Sequence, residues 1–412
     1  MYDLIGYGSM IADRVRTDAY AKALEHAIRP DSVVLDIGTG TGLFALLACR
    51  LGARRVYAVE PDDAIAVARD IARCNGFSER IEFVQDLSFR VELPEKVDIV
   101  VSDIRGVLPL YARSVQAILD ARRRFLADGG VLIPRRDRLM AAPVDAPNLY
   151  EKHTNPWETS LHGIDMRAAA RYVKNTWHNG RARPEQLVAK GQCLGELDYA
   201  SLADVDLKGA ASWELQRDAT LHGLAVWFES DLAPDLTISS SPESSELVYG
   251  SAFFPLQEPV CVAKGDYLEV ELRVDQVNDD YVWSWRSRVR RPEPHAWTRA
   301  RFSQSSFFAS PFLESKLRSR AADHRPALSE EGDIALLVLN MMRDGCTLER
   351  ISREVSARFS SRFPTWRTAL DHVGTLSTAF ARNSRPSAVS SGAGTGEPES
   401  ACAPLPTRVT DT

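Results

Sequence analysis

Residues 33–60 read VVLDIGTGTGLFALLACRLGARRVYAVE. An apolar run, Val33 to Leu35, enters a glycine-rich turn from Asp36 to Gly42; a helical stretch, Leu43 to Leu51, and a second apolar run, Val56 to Val59, then end on the acid Glu60. Strand, turn, helix and strand in that order make half of a nucleotide-binding fold. The glycines fall at 38, 40 and 42, whereas a dinucleotide fingerprint needs glycine at position 43, where this chain has Leu43. The pattern is therefore D-x-G-x-G-x-G. A glycine turn by itself is compatible with a tight strand-to-helix connection that binds nothing. The flanking strands, and an acid placed where it can accept hydrogen bonds from ribose hydroxyls, favour a ligand site.

Alternating strands and helices continue on both sides of this stretch. Upstream, Thr17 is placed to cap a helix running to about Ile28, and Pro30-Asp31 turns the chain into the first strand. Downstream come a helix from Ala64 to Cys74 closed by Asn75-Gly76, strands at Ile81 to Val84 and Val97 to Val101, a helix from about Ala112 to Phe125 and a strand at Val131 to Ile133. The expectation is an α/β fold, an open and mainly parallel Rossmann-like sheet over residues 1–139 with ligands at the carboxyl ends of its strands.

The pattern changes after that. LHGLAVWFES (221–230), SAFFPLQEPVCV (251–262), YLEVELRVDQV (267–277) and DYVWSWRSRV (280–289) alternate apolar and polar residues between Gly, Asp and Pro breaks, so residues 140–326 are expected to form a β-barrel or sandwich. Trp283, Trp285, His295 and Trp297 read as core or edge of that domain rather than a substrate cage. Three helical stretches, 328–342, 347–359 and 365–380, make a small helical domain over 327–382, and the Ser-, Gly- and Pro-rich tail 383–412 is expected to be disordered.

Composition narrows the class. With 412 residues the chain has material for two or three domains. A formal charge of −6 argues against a sequence-independent nucleic-acid binder, which needs a basic face. The six cysteines form no C-x-x-C pair and no metal spacing, as in a reduced cytoplasmic protein, and no metal is expected. No apolar stretch approaches the roughly 18 residues of a membrane span, so no membrane partner is expected.

The D-x-G-x-G-x-G turn closed by Glu60 resembles the S-adenosylmethionine loop of class I methyltransferases. Residues 2–290, with Met10-Ile-Ala-Asp13-Arg14-Val-Arg16-Thr17, Gly-Ala-Arg-Arg-Val before Glu60, Val-Glu-Leu-Pro (91–94), Val-Asp-Ile-Val-Val-Ser (97–102) and Ser241-Pro242-Glu243, resemble the protein arginine methyltransferases. The resemblance implies S-adenosyl-L-methionine as cofactor and S-adenosyl-L-homocysteine as product. It implies a donor site of Arg16, Asp36, Gly38, Thr39, Gly40, Gly42, Leu43, Glu60, Pro61, Asp86, Leu87, Ser102 and Asp103, in which Arg16 pairs with the donor's carboxylate through its guanidinium fork.

The acceptor side departs from that family. Its double-glutamate loop becomes SDIRGVLPLYAR: the first acid is Asp103, the second position is Ala112, and the cation Arg105 stands between them. The family's Thr-His-Trp loop becomes Leu247-Val248-Tyr249. Asp103, Arg105 and Tyr111 are the candidate catalytic residues, Asp103 to orient an amine or accept its proton and the other two to bind the acceptor. An unpaired buried guanidinium costs several kcal/mol. The expected acceptor is therefore a peptide, a protein or a specialised metabolite, methylated at nitrogen or oxygen, rather than arginine. The rivals are protein arginine methylation with a second carboxylate supplied from elsewhere, and a cofactor-binding pseudoenzyme. The helical domain resembles, more loosely, the winged-helix leader-peptide binders of enzymes that mature ribosomally made peptides, through Leu328-Ser-Glu-Glu-Gly-Asp-Ile, Gly345-Cys-Thr-Leu-Glu-Arg-Ile and Ala369-Leu-Asp-His-Val. Its other reading is a packing module or a homodimer contact.

Overall fold

The computed structural model describes residues 4–291 and 297–381; the tail from 383 and His295 lie outside the described residues. Two helices, α1 (Leu4–Ala12) and α2 (Arg14–Ala27), precede β1 (Val33–Ile37), α3 (Leu43–Arg50), β2 (Arg55–Val59), α4 (Ala64–Cys74), β3 (Ile81–Val84), β4 (Val97–Ser102), α5 (Ser114–Arg124) and β5 (Leu126–Ile133). The strands form one sheet in the order β3-β2-β1-β4-β5, every neighbouring pair parallel. All five residues of β1 are buried, as the continuous apolar run of a central parallel strand requires. Full burial of one such side chain, Leu35, contributes roughly 1.5–3 kcal/mol. On α4 the buried residues Ala64, Ile65, Ala68 and Ala72 recur at helical spacing.

The strand order places the switch point of the sheet between β1 and β4, and the carboxyl ends of both strands lie at the same edge of the sheet. The helix before β1 starts earlier than its sequence suggests. Asp13, not Thr17, is the N-cap of α2, and its side chain accepts from the Arg16 amide at 3.0 Å. Thr17 instead donates its hydroxyl to the Asp13 carbonyl. Helix α5 begins two residues after Ala112, which takes a left-handed φ of 44°.

The second half of the same compact unit, residues 1–311, is antiparallel. Strand β6 (Arg136–Val144) leads to α6 (Pro147–Glu158), the short hairpin β7 (Ser160–Leu161) and β8 (Ile164–Asp165), α7 (Ala170–Val173) and β9 (His178–Asn179). Then come β10 (Gln192–Asp198), β11 (Leu207–Glu214), β12 (Ala219–Ala233), β13 (Leu236–Ser239), β14 (Ala252–Val262), β15 (Tyr267–Val277), β16 (Asp280–Arg291) and β17 (Trp297–Ser305). One sheet runs β10-β6-β12-β14-β9 with β13 on β12, and a second runs β11-β15-β16-β17. Apolar residues of both sheets, including Leu139, Val226, Phe254, Val270 and Trp285, share one core, so the sheets pack face to face. Trp283 and Trp285 lie in that core, and Trp297 is half exposed on β17.

The described residues 312–381 belong to a second compact unit. It holds α8 (Glu314–Arg318), α9 (Glu330–Arg343), α10 (Leu348–Arg358) and α11 (Trp366–Phe380). Ser329, Thr347 and Thr365 cap the last three helices, and Ile334, Val338, Ile351, Val355, Phe363 and Val373 form their shared core. Among the described residues of this unit there is no strand of the kind that opens a leader-peptide-binding winged helix. No helix among the described residues is long and apolar enough to cross a membrane.

Candidate functional site

The glycine turn between β1 and α3 is held in three left-handed steps, with φ of 72° at Gly38, 55° at Gly40 and 86° at Gly42. A Cβ at Gly38 would collide with Ile104 Cγ2, and one at Gly40 with the ring of Tyr7 from α1. The turn is closed from the second strand. Glu60, 7% exposed at the end of β2, accepts from the Gly40 amide at 2.9 Å and from the Asp62 amide at 3.0 Å. Asp36, buried at the end of β1, accepts from the Thr39 hydroxyl at 2.6 Å and the Ala45 amide at 3.1 Å. Burial holds the Asp36 carboxyl up at about 7, and burial also raises Glu60 above the ordinary carboxylate range.

These features fit an adenosyl donor. Gly42 sits at the N-cap of α3 with no side chain to cap it, and the buried Asp36 takes the Ala45 amide of the first helical turn in its place. Glu60 has the position and remaining acceptor capacity to take ribose hydroxyls. The other donor residues expected from the sequence follow or close the carboxyl ends of the neighbouring strands β1 to β4. Leu43 begins α3; Pro61 is exposed; Asp86 accepts from the Leu87 amide at 2.7 Å, and Leu87 is 39% exposed; Ser102 is buried at the end of β4.

Beside the turn lies a buried polar network assembled from distant parts of the chain. Arg16 of α2 donates to Asp103 Oδ2 through Nε at 2.6 Å and pairs with it through Nη2 at 2.5 Å; the same Nε lies 2.9 Å from Tyr249 Oη. The Tyr249 hydroxyl reaches both Asp103 oxygens at 2.6 Å, and the Tyr20 hydroxyl donates to Oδ1 at 3.1 Å. Burial alone would raise Asp103, but Arg16 and Arg105 outweigh it and hold the carboxyl below its usual range. Burial likewise works against the charge of Arg16, and Asp103 outweighs it, so that pKa rises. Asp103 is thus a fixed anion. It orients a cation better than it accepts a proton.

Two acceptor-side expectations change. Arg105 is buried, 8% exposed, and its Nη1 donates to Asp137 Oδ1 of β6 at 2.9 Å, with the Tyr199 hydroxyl on the other Asp137 oxygen at 2.6 Å. It is therefore engaged inside the protein and not free to meet an acceptor's carboxylate. The reason is Asp137, a buried acid 32 positions along the chain whose role nothing local in the sequence signals. Tyr111 points outward, 56% exposed, with its ring against Gly106. Sequence reasoning also missed Tyr249 and Tyr20. The signal for Tyr249 was present, since it follows Ser241-Pro242-Glu243 where the family has its Thr-His-Trp loop. A cavity of about 790 Å³ lined by Asp13, Lys152, Arg181, Glu246 and Tyr249 opens beside this network. A second cavity of about 640 Å³, around Ala23, Arg122 and Gly129, includes none of the glycine-turn residues.

Comparison with known proteins matches both halves. Residues 16–135 match the family model described as ribosomal protein L11 methyltransferase, and residues 135–288 the one described as arginine methyltransferase oligomerization subdomain. A probable protein arginine N-methyltransferase 6 of Arabidopsis thaliana is 26% identical over 253 residues, covering 59% of this chain and 58% of that protein. Protein arginine N-methyltransferase PRMT10 of Oryza sativa subsp. japonica is 28% identical over 312 residues, covering 66% of this chain and 81% of that protein. Among solved structures, the Trypanosoma brucei PRMT1 enzyme-prozyme heterotetrameric complex with AdoHcy superposes with a TM-score of 0.66 at 22% identity, covering 73% of this chain and 97% of that one.

Proposed function

Since this chain is a class I S-adenosylmethionine-dependent methyltransferase of the protein arginine methyltransferase type, we propose that its acceptor is a protein and the methylated atom a guanidinium nitrogen of arginine. The names of the relatives support this acceptor against the sequence-based expectation of a non-arginine one. The observation that carries it is Asp103, a buried carboxylate beside the glycine turn that already hydrogen-bonds one guanidinium, that of Arg16, and faces a second, that of Arg105, at 3.5 Å.

S-adenosylmethionine supplies a methyl group already activated on a sulfonium sulfur. What remains for the protein is alignment, exclusion of water and removal of the acceptor's proton. Glu60 would take the ribose hydroxyls of the adenosyl part, and Arg16 would reach the donor's carboxylate by giving up a contact to Asp103 or to the Met10 carbonyl. Asp103 keeps Tyr249, Tyr20 and Arg105 as partners in that arrangement and presents its negative charge to the acceptor. A specific observation favours a second reading, a protein nitrogen other than arginine: position 112 carries no acid, so the loop offers one carboxylate where a guanidinium is best held by two.

The test is methyl transfer by the full chain from radiolabelled S-adenosylmethionine to arginine-containing and lysine-containing peptides, followed by hydrolysis and identification of the methylated residue. Methylarginine is the expected product. Label on lysine or a terminal amine alone supports the second reading, and no label on any peptide despite measurable S-adenosylhomocysteine binding overturns both.

A further inference from the structure

Arg105 is the side chain in the network that the methyl-transfer reading leaves without a task. Its surroundings are those of a bound arginine. Asp137 takes Nη1 at 2.9 Å, Asp103 faces Nε at 3.5 Å, and the guanidinium carbon lies 4.8 Å above the Phe228 ring centre and 5.9 Å from that of Tyr249. Two carboxylates and an aromatic face are what a pocket for a guanidinium needs. Here they are filled from within, and the second carboxylate comes from β6 rather than from the loop that carries Ala112.

We infer that Arg105 is a specificity-determining residue: its guanidinium occupies, between Asp103 and Asp137, the place an acceptor arginine would take, and an acceptor binds there only by displacing it. The inference rests on the arginine reading above. The grip is uneven. Arg105 Nε makes no hydrogen bond, and its approach to Asp103 is the longest ion-pair contact of the network, so the Asp103 end yields before the Asp137 end. The buried charges also balance, Arg16 and Arg105 against Asp103 and Asp137, so an incoming guanidinium that leaves Arg105 in place would add an uncompensated charge, which costs several kcal/mol. Asp103 and Arg105 lie on the segment whose Ile104 abuts Gly38 of the donor turn, which places the filled pocket next to the donor.

The test compares the full-length wild type with Arg105→Met and with Arg105→Gln, whose amide can still donate to Asp137. Two quantities are read: S-adenosylhomocysteine affinity by calorimetry, and kcat/KM for a glycine- and arginine-containing peptide. A variant that keeps product affinity is expected to raise kcat/KM on the order of tenfold, chiefly through a lower KM, because the competitor for Asp103 is gone. Wild-type activity that the variants leave unchanged or reduce overturns the inference and leaves the arginine reading intact. No arginine methylation by the wild type or either variant, with product still bound, overturns both. If both variants lose product binding and unfold at lower denaturant, Arg105 is a structural bridge between the halves and the inference falls.

Discussion

Arg16 Nε lies 2.6 Å from Asp103 Oδ2, 87 positions away in sequence, and both side chains are buried. The cation proposed for the donor and the anion proposed for the acceptor are therefore one unit, so Asp103→Asn does more than remove a proposed catalytic group. It leaves Arg16 and Arg105 with one buried anion, Asp137, between them. Breaking a buried pair from one side costs about 3–5 kcal/mol. Asp103→Asn is expected to lower the urea midpoint, to cut methyl transfer and to change S-adenosylhomocysteine affinity as well. A variant with wild-type stability and product affinity that has lost only turnover would show that the pair is not coupled as described.

Glu60 closes the glycine turn through the Gly40 and Asp62 amides, and in the proposed donor site it holds the ribose. Glu60→Ala is expected to weaken S-adenosylhomocysteine binding tenfold or more, in line with the roughly 1.5–3 kcal/mol of hydrogen bonds to a charged group. Calorimetry measures it. Unchanged affinity would remove Glu60 from the donor site.

The donor half was legible because its signals are local. A D-x-G-x-G-x-G turn between two apolar strands, with an acid at the end of the second, is a contiguous word, and the strands of the second half carry period-two alternation that needs no partner to be seen. The acceptor side was not legible for the opposite reason. Arg105 reads as a free cation until β6 brings Asp137 to it, and Tyr249 meets Asp103 across 146 positions. Even the start of α2 turned on a tertiary fact: Asp13, with one oxygen on the Arg16 amide and the other taking the Val248 amide at 2.8 Å, both caps the helix and fastens the loop that carries Tyr249.

Asp36 gives a dependence on pH. Burial raises its carboxyl to about 7, above the unfolded value, so the native state holds the proton more tightly than the unfolded chain does. For an acid shifted in this direction the stabilising contribution is present below the ordinary carboxylate range and is lost as pH rises through about 7. The stability of the wild type relative to Asp36→Asn is expected to fall by on the order of 1 kcal/mol or more between about pH 5 and pH 8 and to level off above that. Urea midpoints of the two proteins across that range check it, and parallel curves would mean that Asp36 ionises normally.

Gly38 and Ile104 bring the donor turn and the acceptor segment into contact. Alanine at position 38 meets two obstacles, a backbone φ of 72° and Ile104 Cγ2 in the space its Cβ needs. Gly129, with a φ of 75° and nothing within 4 Å, carries the first obstacle without the second. The left-handed backbone alone costs roughly 1–2 kcal/mol for a residue with a Cβ. Gly38→Ala is therefore expected to destabilise the chain more than Gly129→Ala does and to weaken product binding, since Ile104 must move and carries Asp103 and Arg105 with it. Ile104→Ala removes the obstructing methyl. Combined with Gly38→Ala it is expected to return part of the lost stability, a coupling of about 0.5–3 kcal/mol of the kind seen between residues in contact. Denaturant unfolding of the two single variants and the double variant measures that coupling. Strict additivity, within about 0.5 kcal/mol, would mean that the two segments do not constrain each other.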